Sequence, residues 1–534
     1  MKAYFFISGM MVLLLTQVAL FANTAPKING TMYTEHQIEW SKQYGITTDG
    51  IYRDNDTAID SSGNIYVVSE TRDGNDEVDV LLTKYSSDGT QIWSEKYGTD
   101  SFDDGRSVTV DSQGNVYVAG STNGEFDGYA ENNTYSDIFL SKFSSEGTLL
   151  WTRQYGTWHH DYGRAVTTDN SGNIYVTGYT DEEFDGYTNS GSYDIFLTKF
   201  SSEGIALWTV QYGGSSGDVG ESVTSDGTDI YIVGTTNGDL DGNTNSGRSD
   251  IFFTKFSGDG TKLWTKQFGT DTFDKGYSIV ADSRNHLYIT GSTEGELHGN
   301  TNNGSSDIFL SKYSNDGTRI WTRVYGSSGK WDSDQGRSVT LSPRGDVYIT
   351  GSVEGDIDGA VHIGGEDIFL TKYSSDGVRL WTEIYGTDSQ ETGDSVVVDS
   401  SDNIYVLSNT DSTSTYDGDV TLIKFRQAMQ IEHHAGTKAV IDIDATDGDG
   451  DTLTYSISGG VDKDLFLINS TTGALSFINT PKLDIPLDDN SDNVYEVQVS
   501  VSDGNGGSDR VNLSIVVDNY MPKGVLSAVI IYLL

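Results

Sequence analysis

Seven tryptophans, Trp40, Trp93, Trp151, Trp208, Trp264, Trp321 and Trp381, recur every 53 to 60 residues, and no other feature of the chain constrains its fold as strongly. Six of them close a shared run such as DIFLSKFSSEGTLLW (Asp137 to Trp151) or DIFLTKYSSDGVRLW (Asp367 to Trp381), and Tyr-Gly or Phe-Gly follows each. Next come a polar loop, a segment like GRSVTVDSQGNVYVAG (Gly105 to Gly120), a longer polar loop, and the DIFL run again. SVTVD and NVYVAG alternate β-branched or small residues with polar ones, as strands do, and SQGN or SSGN between them is a hairpin turn signal. SSDG or SSEG joins the DIFL run to the Trp run in the same way. Each period therefore holds four short strands. No stretch has the 3.6-residue apolar spacing that a helical solenoid requires.

Four strands per period, repeated without helices, predict a β-propeller. The two ends of the array are complementary. Trp40 has no DIFL run before it, and DVTLIKF (Asp419 to Phe425) has no Trp run after it. Pairing them completes seven blades and removes the exposed edges that an open array would leave. The expected register places the SV strand along the central channel and the Trp strand outermost. It gathers both sets of long loops on one face and leaves only tight turns on the other.

The repeat resembles the bacterial seven-bladed β-propeller repeat family, with its GNxYVTG…DxFLTKFxxxGxxxW core, over residues 30–427. That family implies a fold and no single activity. DGTxxW also resembles the docking motif of quinoprotein propellers, but those are usually eight-bladed, and their cofactor-site cysteines are missing here because the chain has no cysteine.

After Phe425 the pattern changes. ATDGDGDTLTYSISGG, FLINSTTGALSFI, DNVYEVQVSVSDGNGGSD and LSIVVDN alternate at period two between Gly, Asp and Asn turns, which predicts a small β-sandwich over residues 428–520. In order and spacing these motifs resemble bacterial cadherin-like repeats. The fold expected overall is all-β, a seven-bladed propeller followed by a cadherin-like (Ig-like) sandwich. The cadherin resemblance implies calcium. Asp447 and Asp449 match the DxD pair, Asp503 the late acidic residue, Glu432 the early glutamate and Asp484 the mid-domain acidic position. Asp518 and Asn519 match a truncated terminal linker. Calcium is a hard ion taking six to eight oxygens, so carboxylates in this pattern suit it. The linker RQAMQIE lacks the Asp/Asn motif of the family, and no second copy follows. DGDGD (Asp447 to Asp451) also reads as a solvated turn.

Charge narrows the partners. The chain has 79 Asp and Glu against 33 Lys and Arg, a formal charge of −46. Nucleic-acid binding needs clustered cations, so it is excluded, and anionic membrane surfaces are disfavoured on the same ground. The absence of cysteine excludes disulfides, iron–sulfur clusters, thiolate zinc and cysteine nucleophiles. Lys2, the apolar stretch Tyr4 to Phe21 and small residues at Ala19, Ala22 and Ala25 predict a signal peptide over residues 1–22. An uncleaved anchor helix is the alternative. Either way the bulk of the chain is expected to be exported, secreted or on a bacterial cell surface. Residues 521–534 form an apolar tail too short to span a bilayer.

On the long-loop face, Trp158 and Trp331 are the tryptophans outside the repeat register, and His159 and His160 stand beside Trp158. Exposed rings among acidic and amide groups suit stacking on sugars or simply cap a blade. Repeated loops such as Asp239 to Asp250, with oxygens at alternating positions around glycine, suit calcium or ordinary polar turns. No GxSxG, HExxH or Walker signature occurs. The expectation is an exported, non-catalytic binding or adhesion protein that recognises an extracellular protein or carbohydrate, with calcium as cofactor. A propeller enzyme acting on extracellular polysaccharide is the alternative.

Overall fold

The computed structural model describes residues 27–29, 36–44, 55–72, 78–126, 135–184, 186–329, 331–357, 360–411, 418–427, 429–434, 438–446, 451–482, 486–488, 493–504 and 508–518. The expected signal segment and the apolar C-terminal tail lie outside the described residues. The chain divides into two compact units, one spanning Ile38–Arg426 and the other combining Met1–Gln37 with Gln427–Leu534.

In the first unit the described strands form seven four-stranded sheets, and six of them run first to fourth strand in sequence order. Asp161–Thr168, Ile174–Thr180, Asp194–Phe200 and Ala206–Tyr212 make a representative sheet. The remaining sheet takes three strands from the end of the array, Gln390–Val398, Ile404–Asp411 and Gly418–Gln427, and its outer strand, His36–Tyr44, from the beginning. The complementary ends therefore do meet. Repeated four-stranded sheets in this arrangement are consistent with a propeller.

The serine of the SV motif links one sheet to the next. Ser107 Oγ accepts the Val166 N–H at 3.2 Å, Ser222 that of Ile279 at 3.4 Å, Ser278 that of Val339 at 3.3 Å and Ser338 that of Val396 at 3.2 Å. The series returns to its start, where Ser395 Oγ donates to Asp56 Oδ1 at 3.0 Å and lies 2.8 Å from Thr57 Oγ1. Asp56 takes the serine position in the first sheet, and its Oδ2 accepts the Val108 N–H at 3.0 Å.

Second and third strands are buried on both faces and read as near-continuous apolar runs for that reason. Val116–Thr122 and Leu287–Thr293 are buried throughout. The core lies between sheets: Tyr117, Ile138 and Leu140 of one pack against Val166, Val176 and Phe196 of the next. The repeat tryptophans are half-buried and pack across the same joints. A Cβ on Gly204, a turn glycine at φ +76°, would press on the Trp151 indole, and Gly147, Gly260 and Gly377 meet Trp93, Trp208 and Trp321 in the same way. Gly89 meets Trp40, which repeats the contact at the closing joint. Glycine in SSDG and SSEG thus answers two demands, a left-handed backbone and a close ring. The lysine of the DIFL run adds a further tie. Lys142 Nζ lies 5.2 Å from the centre of the Tyr117 ring and donates to the Ser202 carbonyl of the next sheet at 3.0 Å.

The second unit has a four-stranded sheet in the order Met429–His434, Ser508–Asp518, Val494–Ser502, Thr454–Gly459, with the first pair parallel. A three-stranded sheet of Ala439–Asp442, Ala474–Phe477 and Phe466–Ile468 contributes to the same core, which includes Tyr455, Phe466, Phe477, Tyr495 and Val499. Lys27–Asn29 pairs antiparallel with Asp444–Thr446, so a segment close to the N-terminus belongs to this unit. Its three residues carry no periodic pattern from which the pairing could be read.

Candidate functional site

The two long-loop sets do share a face. Tyr193 forms a parallel bridge with Gly217, Ser249 with Phe273 and Ser306 with Ser333, each joining a loop within one sheet to the loop leading into the next. Trp158 is 67% exposed and Trp331 78% exposed, as expected of groups outside the packed register. They stand at joints three sheets apart in chain order.

Around His159 and His160 the loops build a continuous aromatic stack. Tyr135 lies flat on His159, with centroids 5.2 Å apart and planes parallel, and meets His160 edge-on at 4.9 Å. His160 stacks on Tyr162 at 5.9 Å and Tyr162 on Tyr179 at 4.9 Å, while Tyr193 meets Tyr179 edge-on at 5.3 Å. Strand register makes the central contact, because Tyr162 and Tyr179 stand directly opposite each other in the ladder. The Ser136 N–H donates to His160 Nδ1 at 3.3 Å, which leaves the ring proton of neutral His160 on Nε2. His159 Nε2 lies 3.4 Å from a Glu182 carboxylate oxygen.

The stack leads to Arg164, one of a repeated set of residues that sequence reasoning missed. In six sheets the residue after the glycine of GxSV is bulged out of the strand ladder: Arg106, Arg164, Glu221, Tyr277, Arg337 and Asp394. Bulges re-aim a side chain without ending the strand. At two joints the residues at this position meet across sheets. Arg164 Nε lies 4.0 Å from Glu221 Oε2, and Asn55 Nδ2 donates to Asp394 Oδ2 at 3.1 Å. The Arg164 guanidinium also covers the Tyr179 ring at 5.4 Å. Burial pulls Arg106 down to about 10, with Arg164 adding repulsion, whereas at Arg164 burial is outweighed by Glu221, Tyr179 and Asp104 together, which hold it above its ordinary value. A signal was present in the sequence, since this position varies in charge and size inside an otherwise regular motif.

The calcium-like loop of Asp239 to Asp250 spends most of its oxygens on itself. Asp239 Oδ1 accepts the Asn245 N–H at 2.8 Å, and Asn245 Oδ1 accepts that of Gly247 at 2.8 Å. Asp241 is paired with Lys262 at 2.5 Å. At the equivalent position in the next sheet, His298 Nδ1 lies 3.0 Å from Thr322 Oγ1, and its ring stacks on Phe268. The oxygens of Asp239, Asp241 and Asn245 therefore serve the turn and its lysine. The opposite face has a cleft of about 450 Å³ between the Asp60 and Asp111 turns, but both carboxylates are engaged there by Asn64 and Asn115.

Of the residues matched to the cadherin pattern, Asp447, Asp449, Asp484 and Asn519 lie outside the described residues. Glu432 stands opposite Val516 in the parallel pair, with His434 opposite Asp518. Asp503 is buried just beyond the strand Val494–Ser502. Among the described residues, no three His, Cys, Asp or Glu side chains stand together as a metal site.

A family model described as a beta-propeller repeat, SBBP, matches residues 92–127 and 150–185, each match running from a Trp strand into the next sheet. The chain is 24% identical over 263 residues to the Regulatory protein FlaEY of Caulobacter vibrioides, covering 43% of this chain and 27% of that protein. It is 24% identical over 412 residues to an uncharacterized WD repeat-containing protein, L264, of Acanthamoeba polyphaga mimivirus, covering 66% and 27%. The chain thus spans about a quarter of the length of these curated relatives. Similar solved structures include the Neurospora crassa Pan2 WD40 domain, at 9% identity and TM-score 0.39 over 71% of this chain and 89% of that one. The polysaccharide lyase Uly1 is 12% identical, with TM-score 0.40 over 72% and 91%. The periplasmic gluconolactonase PpgL of Pseudomonas aeruginosa is 12% identical, with TM-score 0.40 over 62% and 85%.

Proposed function

We infer that the protein is an exported, non-catalytic recognition protein whose sheets close into a seven-bladed propeller and whose long-loop face binds an extracellular carbohydrate. The observation that carries this reading is the stack from His159 through Tyr135, His160, Tyr162 and Tyr179 to Tyr193, with Arg164 laid over it. Flat rings bordered by hydroxyls, an imidazole and a guanidinium offer a sugar both apolar faces and hydrogen-bond partners. Such sites fix a ligand through a few placed polar groups beside aromatic surface. Trp158 and Trp331 extend the aromatic surface of the same face. In the second unit a cadherin-like sandwich takes calcium through Asp447, Asp449 and Asp503 with Glu432, Asp484, Asp518 and Asn519, and acts as a stiffened spacer in adhesion.

The test is a polysaccharide panel presented to the full exported chain and to Tyr179→Ala. The expected result is saturable binding of at least one glycan and a loss of about tenfold or more in the variant, since stacked aromatic contacts are each worth about 0.5–1.5 kcal/mol beyond area. Binding that is unchanged in Tyr179→Ala removes the stack from the site. Release of reducing ends from a bound glycan removes the non-catalytic part of the reading.

A further inference from the structure

At the joints between sheets the loop face buries carboxylates in pairs. One member opens the DIFL strand and the other opens the first strand of the next sheet. In the pair Asp194 and Asp218 both side chains are fully buried. Asp194 Oδ2 accepts the Ser190 N–H at 2.9 Å and the Gln211 amide at 3.2 Å, and Asp218 Oδ2 accepts the Gly214 N–H at 2.6 Å. The second oxygen of Asp194, Oδ1, is buried with no hydrogen-bond donor, while Thr236 stands opposite Asp218 in the ladder and hydrogen-bonds its carboxylate. Both carboxylates lean over Gly213, where a Cβ would collide with Asp194 Oδ1 and lie 3.0 Å from Asp218 Oδ2. Asp250 and Asp274 repeat the arrangement over Gly269. Both are fully buried, and Asp250 Oδ1 again lacks a donor, whereas Asp274 Oδ1 accepts the Thr293 hydroxyl and its Oδ2 the Thr270 N–H. Backbone carbonyls crowd the same turns, those of Gly214 and Ser216 against Gly191 and those of Thr270 and Thr272 against Gly247.

An isolated buried carboxylate is costly and two together more so, unless a positive charge accompanies them. The first sheet supplies that charge from the chain itself. Asp79 and Asp103 lean over Gly98 in the same geometry, and Lys96 Nζ lies 2.6 Å from Asp79 Oδ2. Lys96 immediately precedes Tyr97-Gly98, the position that Gln211 and Gln267 occupy before Tyr212-Gly213 and Phe268-Gly269. Gln267 donates to Asp250 Oδ2 at 3.1 Å, as Gln211 does to Asp194. The repeat therefore presents this position in three forms, an ammonium at Lys96, a neutral amide at Gln211 and Gln267, and an apolar side chain at Val324 and Ile384.

We propose that the Asp194–Asp218 pair and its repeat Asp250–Asp274 each hold a divalent cation of the calcium class at the joint between sheets, where the first sheet uses Lys96. Paired buried carboxylates, with Oδ1 of Asp194 or Asp250 lacking a donor, and backbone carbonyls in the same turns are the ligand chemistry calcium takes. Magnesium retains several waters and suits a site closed to solvent less well. Bound at these positions, the cation ties one sheet to the next beneath the long loops. The sites are separate from the calcium assigned above to the second unit.

The experiment measures calcium bound per chain, by equilibrium dialysis and elemental analysis of the full chain stripped with chelator, and thermal unfolding with and without millimolar calcium. Gln211→Lys restores the arrangement of the first sheet and so avoids an unfolding substitution. It is expected to bind one calcium fewer per chain and to raise the melting temperature in chelator. Asp194→Asn with Asp218→Asn is expected to lose the same single ion. Triple replacement of Asp447, Asp449 and Asp503 by Asn must leave that ion in place, which separates this proposal from the second-unit reading. Calcium uptake by Gln211→Lys equal to that of the parent overturns the proposal. So does a parent chain whose melting is unchanged between calcium and chelator, which would mean that each pair shares a proton instead.

Discussion

The tight-turn face and the long-loop face carry the same residue in the same repeat, and it behaves oppositely on the two. On the turn face, the aspartate that ends the SV strand is surrounded by donors. Asp169 accepts the N–H groups of Ser171 and Asn173 at 2.9 Å each, the Asn173 amide at 2.7 Å and the Tyr175 hydroxyl at 3.0 Å. At the equivalent Asp60 and Asp282, burial is outweighed by these bonds, and both are held below the usual carboxylate range. On the loop face burial wins. Asp161 is pushed up to about 7, and Asp218 and Asp334 to about 6, with Asp137, Asp194 and Asp307 respectively adding repulsion. One face uses aspartate as a fastener. The other stores unfavourable charge, which is how sites that await a positive partner differ from structural ones.

The contrast is broken most directly by removing a fastener. Asp169→Ala strips four donors of their acceptor, one of them the hydroxyl of fully buried Tyr175, and is expected to cost about 3 kcal/mol, given that bonds to charged groups are individually worth about 1.5–3. Chemical denaturation of the first unit's transition checks it. Ser342 takes this position in another sheet and accepts the Arg344 and Asp346 N–H groups at 3.3 and 3.2 Å, so Asp169→Ser should lose less. Equal losses for Ala and Ser would mean that the bonds are not what holds the turn.

A pH series sharpens the comparison at intermediate size. The loop-face carboxylates have folded values above their unfolded value near 4, so the folded state binds their protons first. In chelator, stability should therefore rise as pH falls from about 8 to 5, through the values near 7 and 6. The turn-face aspartates have depressed values, and their contribution is present above about pH 4 and lost below it. The melting temperature should accordingly peak near pH 4–5. Asp218→Asn should be roughly 1–2 kcal/mol more stable than the parent at pH 8 in chelator and show a smaller rise on acidification. A melting temperature flat from pH 8 to 5 would contradict the raised values. The smallest expected effect is at the exposed tip of the loop face, where Trp158→Ala should change stability by less than about 0.5 kcal/mol. A loss of several kcal/mol would place Trp158 in the packing of the sheets.

Much of the site's setting was legible in the sequence, and the site was not. The shared face follows from strand order alone, and Trp158, Trp331, His159 and His160 stand out because they interrupt a regular motif. The aromatic stack was hidden because Tyr135, Tyr162, Tyr179 and Tyr193 come from two loops and two strands, each contributing one ordinary tyrosine. Arg106, Arg164 and Arg337 were overlooked because a one-residue bulge reverses which side a side chain takes, and period-two reading assigns them to the wrong side of the strand. In the Asp239 loop the spacing suggested ligands, whereas Lys262 and the loop's own amides had claimed the oxygens of Asp239 and Asp241.

By itself the sequence determined the repeating unit, its four strands, their order and the complementarity of the two ends. These depend on local alternation, turn residues and the Trp-Gly contact, all encoded within one period. Tertiary structure alone decided that Asp194 meets Asp218, that Asp79 finds Lys96 and that Lys27–Asn29 pairs with Asp444–Thr446. Each of these juxtaposes residues from different strands or distant segments, and the charge of a carboxylate depends on what burial and neighbours leave around it rather than on its place in a motif.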